Sequence, residues 1–155
     1  MLPELAALHL DAIRSGSAMG FVEPIDPEDL DRHWRETVVE LDANERVLVV
    51  AWLDSAVAGM AQLERSAPRN ARHRGEVQRV AVASGARGRG VGRALMDALE
   101  EEARGAGVTL LYLTTHDDVP AARDAAVLGA AGRDARAGRV LLSRARMIQA
   151  EELAA

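Results

Sequence analysis

Apolar residues return at steps of three and four in several stretches of the chain, and in short β-branched runs between them. Leu5, Leu8 and Ile13 have approximately helical spacing, so a first helix is expected over Leu2–Ile13, with Pro3 acceptable in its first turn. Asp26-Pro27-Glu28-Asp29 reads as a helix start: an N-cap acid, proline at the first helical position and acids in the first turn. Leu30, Trp34, Val38 and Leu41 then line one face, which makes Trp34 a core residue and leaves His33 at the boundary or surface. Two apolar runs, Glu45–Leu53 and Ala56–Arg65, are separated only by Asp54-Ser55, and an antiparallel hairpin is predicted.

The polar, basic stretch Ser66–Gly75 returns the chain to a third strand beginning near Glu76, marked by Val77, Val80 and Val82. Strict alternation along it puts Glu76 and Val82 on the same face. A third helix follows almost at once, with Val91, Ala94, Leu95, Ala98, Leu99 and Ala103 on its apolar side and Gly105 and Gly107 ending it. Val108–Thr114 is a short apolar strand, parallel to the strand before the helix because a helix joins them. Beyond it, a helix is expected over Thr115–Leu128, a last strand over Arg139–Ser143, and a short helix or frayed tail over Arg144–Ala155. Three meandering strands, then a parallel one, with helices between, predict an α/β fold with a mixed, mostly antiparallel sheet.

The 155 residues suit one domain spanning 1–155. With 19 basic and 24 acidic side chains the formal charge is −5, which argues against nucleic acid or an anionic membrane as partner and mildly favours a cationic one such as an amine. The absence of cysteine removes disulfides, thiolate catalysis and cysteine metal ligation, and no metal site is expected. No secretory leader pattern or membrane-spanning run is seen, so a cytoplasmic location is expected.

The strongest chemical signal lies between the third strand and the third helix, at Arg87-Gly88-Arg89-Gly90-Val91-Gly92. The start of a helix presents backbone N–H groups without intrahelical partners at its partly positive end. Glycine there lets an anion reach the backbone, and Arg87, Arg89 and Arg93 add full charge nearby, so a phosphate or diphosphate is the natural ligand. Two familiar phosphate loops are disfavoured. The chain has no lysine for a P-loop, and Arg93 stands where a dinucleotide fingerprint needs its third glycine.

Arg87, two residues, Gly90, one residue, Gly92, behind a strand ending Val80-Ala81-Val82 and opening an amphipathic helix, resembles the acyl-coenzyme A site of the GNAT superfamily of N-acetyltransferases. The resemblance covers roughly residues 27 to 120. It implies a sheet flanked by helices on both faces, with a central parallel pair of strands that splay apart to admit the pantetheine arm of acetyl-CoA. Val80, Ala81 and Val82 would supply main-chain contacts to that arm, and Arg87, Gly88, Arg89, Gly90, Val91, Gly92 and Arg93 would hold the diphosphate. Glu76, six residues before Val82, matches the place where some family members carry a catalytic glutamate, and would accept the proton of the attacking amine, directly or through water. Phe21 and Glu23, between the first two helices, would contact the acceptor; His73 and His116 are further groups able to titrate near neutrality.

In one respect the chain departs from the family pattern. The tyrosine expected four residues before a Gly-aromatic pair is replaced by Ala125, ahead of Gly129-Ala130, and no aromatic residue follows Ala121. A change of reading frame near the end of the gene is one explanation, which the nucleotide sequence tests. The reading is therefore acetyl transfer from acetyl-CoA to a primary amine of a small molecule or peptide by direct attack, of reduced rate without that acid, by a monomer or homodimer. The alternative is a catalytically impaired domain that binds or senses acyl-CoA.

Overall fold

A computed structural model of the chain describes residues 1–113, apart from 18, 22, 23 and 44, together with residues 144–147. The elements in chain order are α1 (Leu2–Arg14), α2 (Pro27–Asp42), β1 (Arg46–Leu53), β2 (Ala56–Arg65), β3 (Arg74–Val82), α3 (Val91–Gly105), β4 (Leu110–Tyr112) and β5 (Arg144–Met147). The strands form one sheet in the order β4-β3-β2-β1-β5. β1, β2 and β3 are antiparallel neighbours, β5 runs antiparallel to β1, and β3 with β4 is the parallel pair.

Local chemistry accounts for most of these boundaries. Asp26 accepts a hydrogen bond from the Glu28 backbone N–H at 2.9 Å, capping α2 as its sequence predicts, and Pro27 occupies a first-turn position whose N–H needs no partner. Asp54 and Ser55 both take positive φ, 51° and 67°, the backbone of a two-residue turn whose twist suits antiparallel strands. The pairing Leu53↔Ala56 closes that hairpin.

Alternation along the strands separates two apolar layers. On one face Val47, Val49, Ala61, Leu63 and Val77 pack under Val91, Leu95 and Leu99 of α3. On the other, Leu48, Val50, Met60 and Ala81 meet Leu5 and Leu8 of α1 and Leu30 and Trp34 of α2. Gly59 lets α3 settle closely on β2: a Cβ there would stand 2.9 Å from the Ala81 carbonyl oxygen and from side-chain atoms of Val91 and Leu95.

The register between β2 and β3 contains a β-bulge. Met60 pairs with Ala81 and Gln62 with Gln78, so Arg79 and Val80 together face Ala61. Arg79 has φ +49°, a left-handed conformation that costs a non-glycine residue about 1–2 kcal/mol. The extra residue inverts the alternation: Val77 packs on the α3 side, and beyond the bulge Val80 and Val82 do so, while Ala81 turns to α1 and α2. The expectation that Glu76 and Val82 share a face is therefore corrected.

Three other boundaries differ from the sequence reading. β3 begins at Arg74, two residues early, because its first residues pair with β4. β4 is three residues long. Residues 144–147, expected in a helix or frayed tail, instead form β5, with Val49↔Met147 and Trp52↔Arg144 at its ends. The helix expected over 115–128 and the strand expected over 139–143 lie outside the described residues. Among the described residues no helix is long and apolar enough to cross a membrane.

Candidate functional site

β3 ends at Val82, and a single 3-10 turn, Ser84–Ala86, carries the chain toward α3. α1 fastens this turn. The Asp11 carboxylate accepts hydrogen bonds from the Ser84 backbone N–H at 3.0 Å and from its Oγ at 2.9 and 3.1 Å. These bonds, the backbone one foremost, hold the Asp11 carboxyl below its usual range, and nearby Arg87 adds to the effect.

Gly88 and Gly90 then take φ of +72° and +77°, a conformation that glycine adopts without strain. Gly90 is the residue before α3 and has no side chain to cap it. The first bond of the helix runs from the Ala94 N–H to the Gly90 carbonyl at 3.1 Å, so the N–H groups of Val91, Gly92 and Arg93 have no intrahelical partner. Arg87 and Arg89 are exposed and Arg93 is half-buried, and among the described residues none of the three is ion-paired. Arg87 turns back toward β3, its Nε donating to the Val82 carbonyl at 3.4 Å. Uncapped amides, unhindered backbone and unneutralised guanidinium groups together fit a diphosphate.

Beside this corner, among the described residues, β3 has an open edge. Its pairing with β4 comprises Arg74↔Leu110, Gly75↔Leu111 and Glu76↔Tyr112, and Val77 to Val82 have no further strand beside them among the described residues. An extended, amide-bearing chain can hydrogen-bond to such an edge as an additional strand would.

The model of the acetyltransferase (GNAT) family matches residues 9–129, most of the chain. The chain belongs to the GNAT acetyltransferase family. The match starts well before residue 27, where the sequence resemblance was expected to begin. An uncharacterized N-acetyltransferase in the hisH-hisA intergenic region of Azospirillum brasilense is 37% identical over 109 residues, covering 69% of this chain; the chain spans 63% of that relative's length. Among solved structures, the ribosomal-protein-alanine N-acetyltransferase of Brucella melitensis has a TM-score of 0.66 at 26% identity, over 94% of this chain and 90% of the other. The PaiA N-acetyltransferase of Thermoplasma acidophilum, in complex with coenzyme A, shares the fold, with a TM-score of 0.62 at 16% identity over 83% and 81% of the two chains.

Within this GNAT fold the other predicted residues that the structure describes lie on or just before β3 and in the segment between α1 and α2. Glu76 is half-buried, directly opposite Glu64 of β2 and beside Tyr112 of β4, so the three form a row across the sheet. Phe21 packs edge-on against His9 and His33, with ring centroids 5.2 and 5.7 Å away. His73 stands just before β3, at the end remote from the glycine loop, and its carbonyl accepts from the N–H groups of Thr109 and Leu110. Glu23 and His116 lie outside the described residues.

Sequence reasoning missed a polar cluster under α2. Arg46, 7% exposed, donates through Nη1 to the Gln62 and Gln78 side-chain oxygens at 3.0 and 2.9 Å, and pairs with Glu40 and with Glu64. Arg79 shares both amide oxygens. His9 and His33 lie edge to face at 5.5 Å. Burial, with Arg79 nearby, pushes their pKa values down to about 4 and about 3, so both are neutral at physiological pH. Polar residues alternating on a strand read as a solvated face, and the only signal that could have marked this one was the coincidence of Arg46, Gln62 and Gln78 on successive strands.

Proposed function

We propose that this chain binds acetyl-CoA and transfers its acetyl group to a primary amine of a small molecule or peptide. The observation that carries the reading is the corner at residues 87–93, where glycines in left-handed conformation open the start of α3 to an anion between arginines that have no ion-pair partner among the described residues. The bound coenzyme would supply an acetyl thioester, activated toward amines. In this reading Arg87, Arg89, Arg93 and the first amides of α3 hold the diphosphate, and the backbone of Val80, Ala81 and Val82 holds the pantetheine arm against the open edge of β3. A fold neighbour solved with coenzyme A supports the assignment of ligand.

In this reading Glu76 receives the proton that the amine must lose before it attacks; it lies on the α1 and α2 face, six residues along β3 from Val82, so the proton reaches it through ordered water rather than directly. Its carboxylate also attracts the amine while it is still cationic, whereas Glu64, opposite it, is paired with Arg46. A backbone N–H near Val82 stabilises the negative charge that develops on the thioester oxygen. Phe21 and Glu23 belong to the segment that borders the acceptor.

The second reading, a domain that binds acyl-CoA without fast turnover, is favoured by one observation: Ala125 stands where the family's usual acid would be. Two experiments separate the possibilities. Acetyl-CoA at a hundred times its dissociation constant stabilises the fold by about 2.7 kcal/mol, which thermal unfolding reads directly. Release of free thiol over a panel of amines then marks an enzyme, and binding without release over that panel marks a sensor.

A further inference from the structure

The bulge in β3 turns Arg79 away from the apolar layer under α3 and toward Gln62 and Gln78. There it meets Arg46, and the two cations are provided for very unequally. Arg46 has both carboxylates, Glu40 and Glu64. Arg79 has only the two amide oxygens, at 2.8 and 3.3 Å, which it shares with Arg46, and no ion-pair partner among the described residues. Its Nε–H is buried without a hydrogen-bond partner, as is the Nε2 of Gln62.

Such a group is costly: buried donors left unbonded destabilise a fold, and so does a guanidinium close to another. Its left-handed backbone adds strain that the surrounding sheet must hold in place. Burial, and after it the charge of Arg46, make the Arg79 cation harder to maintain, while Glu40, Glu64 and Glu76 favour it. An oxyanion would complete the group that the described residues leave unbalanced. The same sheet face presents Glu76 three residues along β3, at most about 10 Å of strand away, within the combined reach of long side chains. A cation-attracting carboxylate at one end and an unsatisfied guanidinium at the other complement a molecule bearing both charges.

We propose that the acceptor amine also carries an anionic oxygen group, a carboxylate or a phosphate, and that Arg79 is the residue that recognises it. This rests on the acetyl-transfer reading and narrows its substrate class. Guanidinium geometry suits both groups, since its parallel N–H donors match either oxyanion.

The test offers matched probes to the full chain: α- and ω-amino acids and aminoalkyl phosphates, each beside the carboxamide or plain amine that lacks the negative charge. Thermal shift reads binding of each probe alone, and thiol release with acetyl-CoA reads turnover. The anionic member of at least one pair should be favoured about tenfold or more, the scale of losing hydrogen bonds to a charged group. Arg79→Asn keeps a residue that tolerates the left-handed backbone and should bring that ratio to about one; Arg79→Lys should retain part of it. The carboxylate and phosphate arms show which oxyanion is taken. A wild-type protein that takes neutral probes as well as anionic ones overturns the proposal, as does an Arg79→Asn protein that keeps the anionic preference. If acetyl-CoA neither binds nor releases thiol, the acetyl-transfer reading fails by itself. Stabilisation of the wild type by anionic probes, lost in Arg79→Asn, would then still uphold the Arg79 site, and its absence would remove it.

Discussion

The two faces of the sheet bury their residues by opposite means. Under α3, aliphatic side chains and one glycine bring helix and strands together, with arginines at the rim of the glycine loop. Under α1 and α2, an apolar patch gives way to a cluster of two arginines, two glutamines and two neutral histidines. Rigid apolar packing fixes where α3 starts, and so, in the function proposed above, fixes a diphosphate site that any coenzyme A ester would share. The polar face is where, in that reading, acceptors would differ. The bulge at Arg79 joins the two, since it allows one strand to serve apolar packing on both faces and still send an arginine into the cluster.

Replacing Arg46 by methionine tests the polar face hardest. Glu40, Glu64 and the two glutamine oxygens would lose the donor they share, and urea unfolding should show a loss of about 3 kcal/mol. A loss below that expected for exposed ion pairs would mean that the cluster is solvated. Gly59→Ala attacks the other face, where the new methyl group meets a backbone carbonyl that cannot yield; about 2 kcal/mol should be lost, and α3 with its loop should shift. Wild-type stability in this variant would show that α3 does not rest on β2 so closely.

These two changes also mark what could be read from the sequence. The hairpin at Asp54-Ser55, the Asp26 cap and the stripe of α3 were legible because each is a local rule: a turn length, a capping acid, a period of 3.6. The glycine-arginine loop was legible for the same reason. The bulge was not, because a period-two pattern carries no mark of an inserted residue, and Val80 and Val82 satisfied alternation on either count. Nor was the Arg46 cluster, whose members are 16 and 32 residues apart and meet only through the register of three strands. β5 escaped because Arg-Ala-Arg-Met lacks β-branched residues, and its strand conformation comes from pairing with β1.

Gly88→Ala separates the fold from its site. A Cβ at Gly88 meets nothing within 4 Å, so the cost is only that of φ +72°, about 1 kcal/mol, while affinity for acetyl-CoA should fall further than stability does. Equal losses in the two would make the glycine merely structural. The smallest effect is on pH dependence. His9 and His33 have lower pKa values folded than unfolded, so the unfolded chain binds more protons below about pH 6.5; stability is full above that value and declines as pH falls toward 4. The decline should be shallower in His9→Gln and His33→Gln, measured by thermal unfolding from pH 7 to 4.5. An unaltered slope would mean that the two rings titrate freely in the folded protein.

The most direct test of the account is calorimetric titration of the full chain with acetyl-CoA, repeated with Arg87, Arg89 and Arg93 replaced together by alanine. Each charge-assisted contact contributes about 1.5 kcal/mol, so the triple variant should bind at least about a hundredfold more weakly while its circular dichroism is unchanged. Equal affinity in the two proteins, or no binding by the wild type, would contradict the assignment of residues 87–93 to a diphosphate.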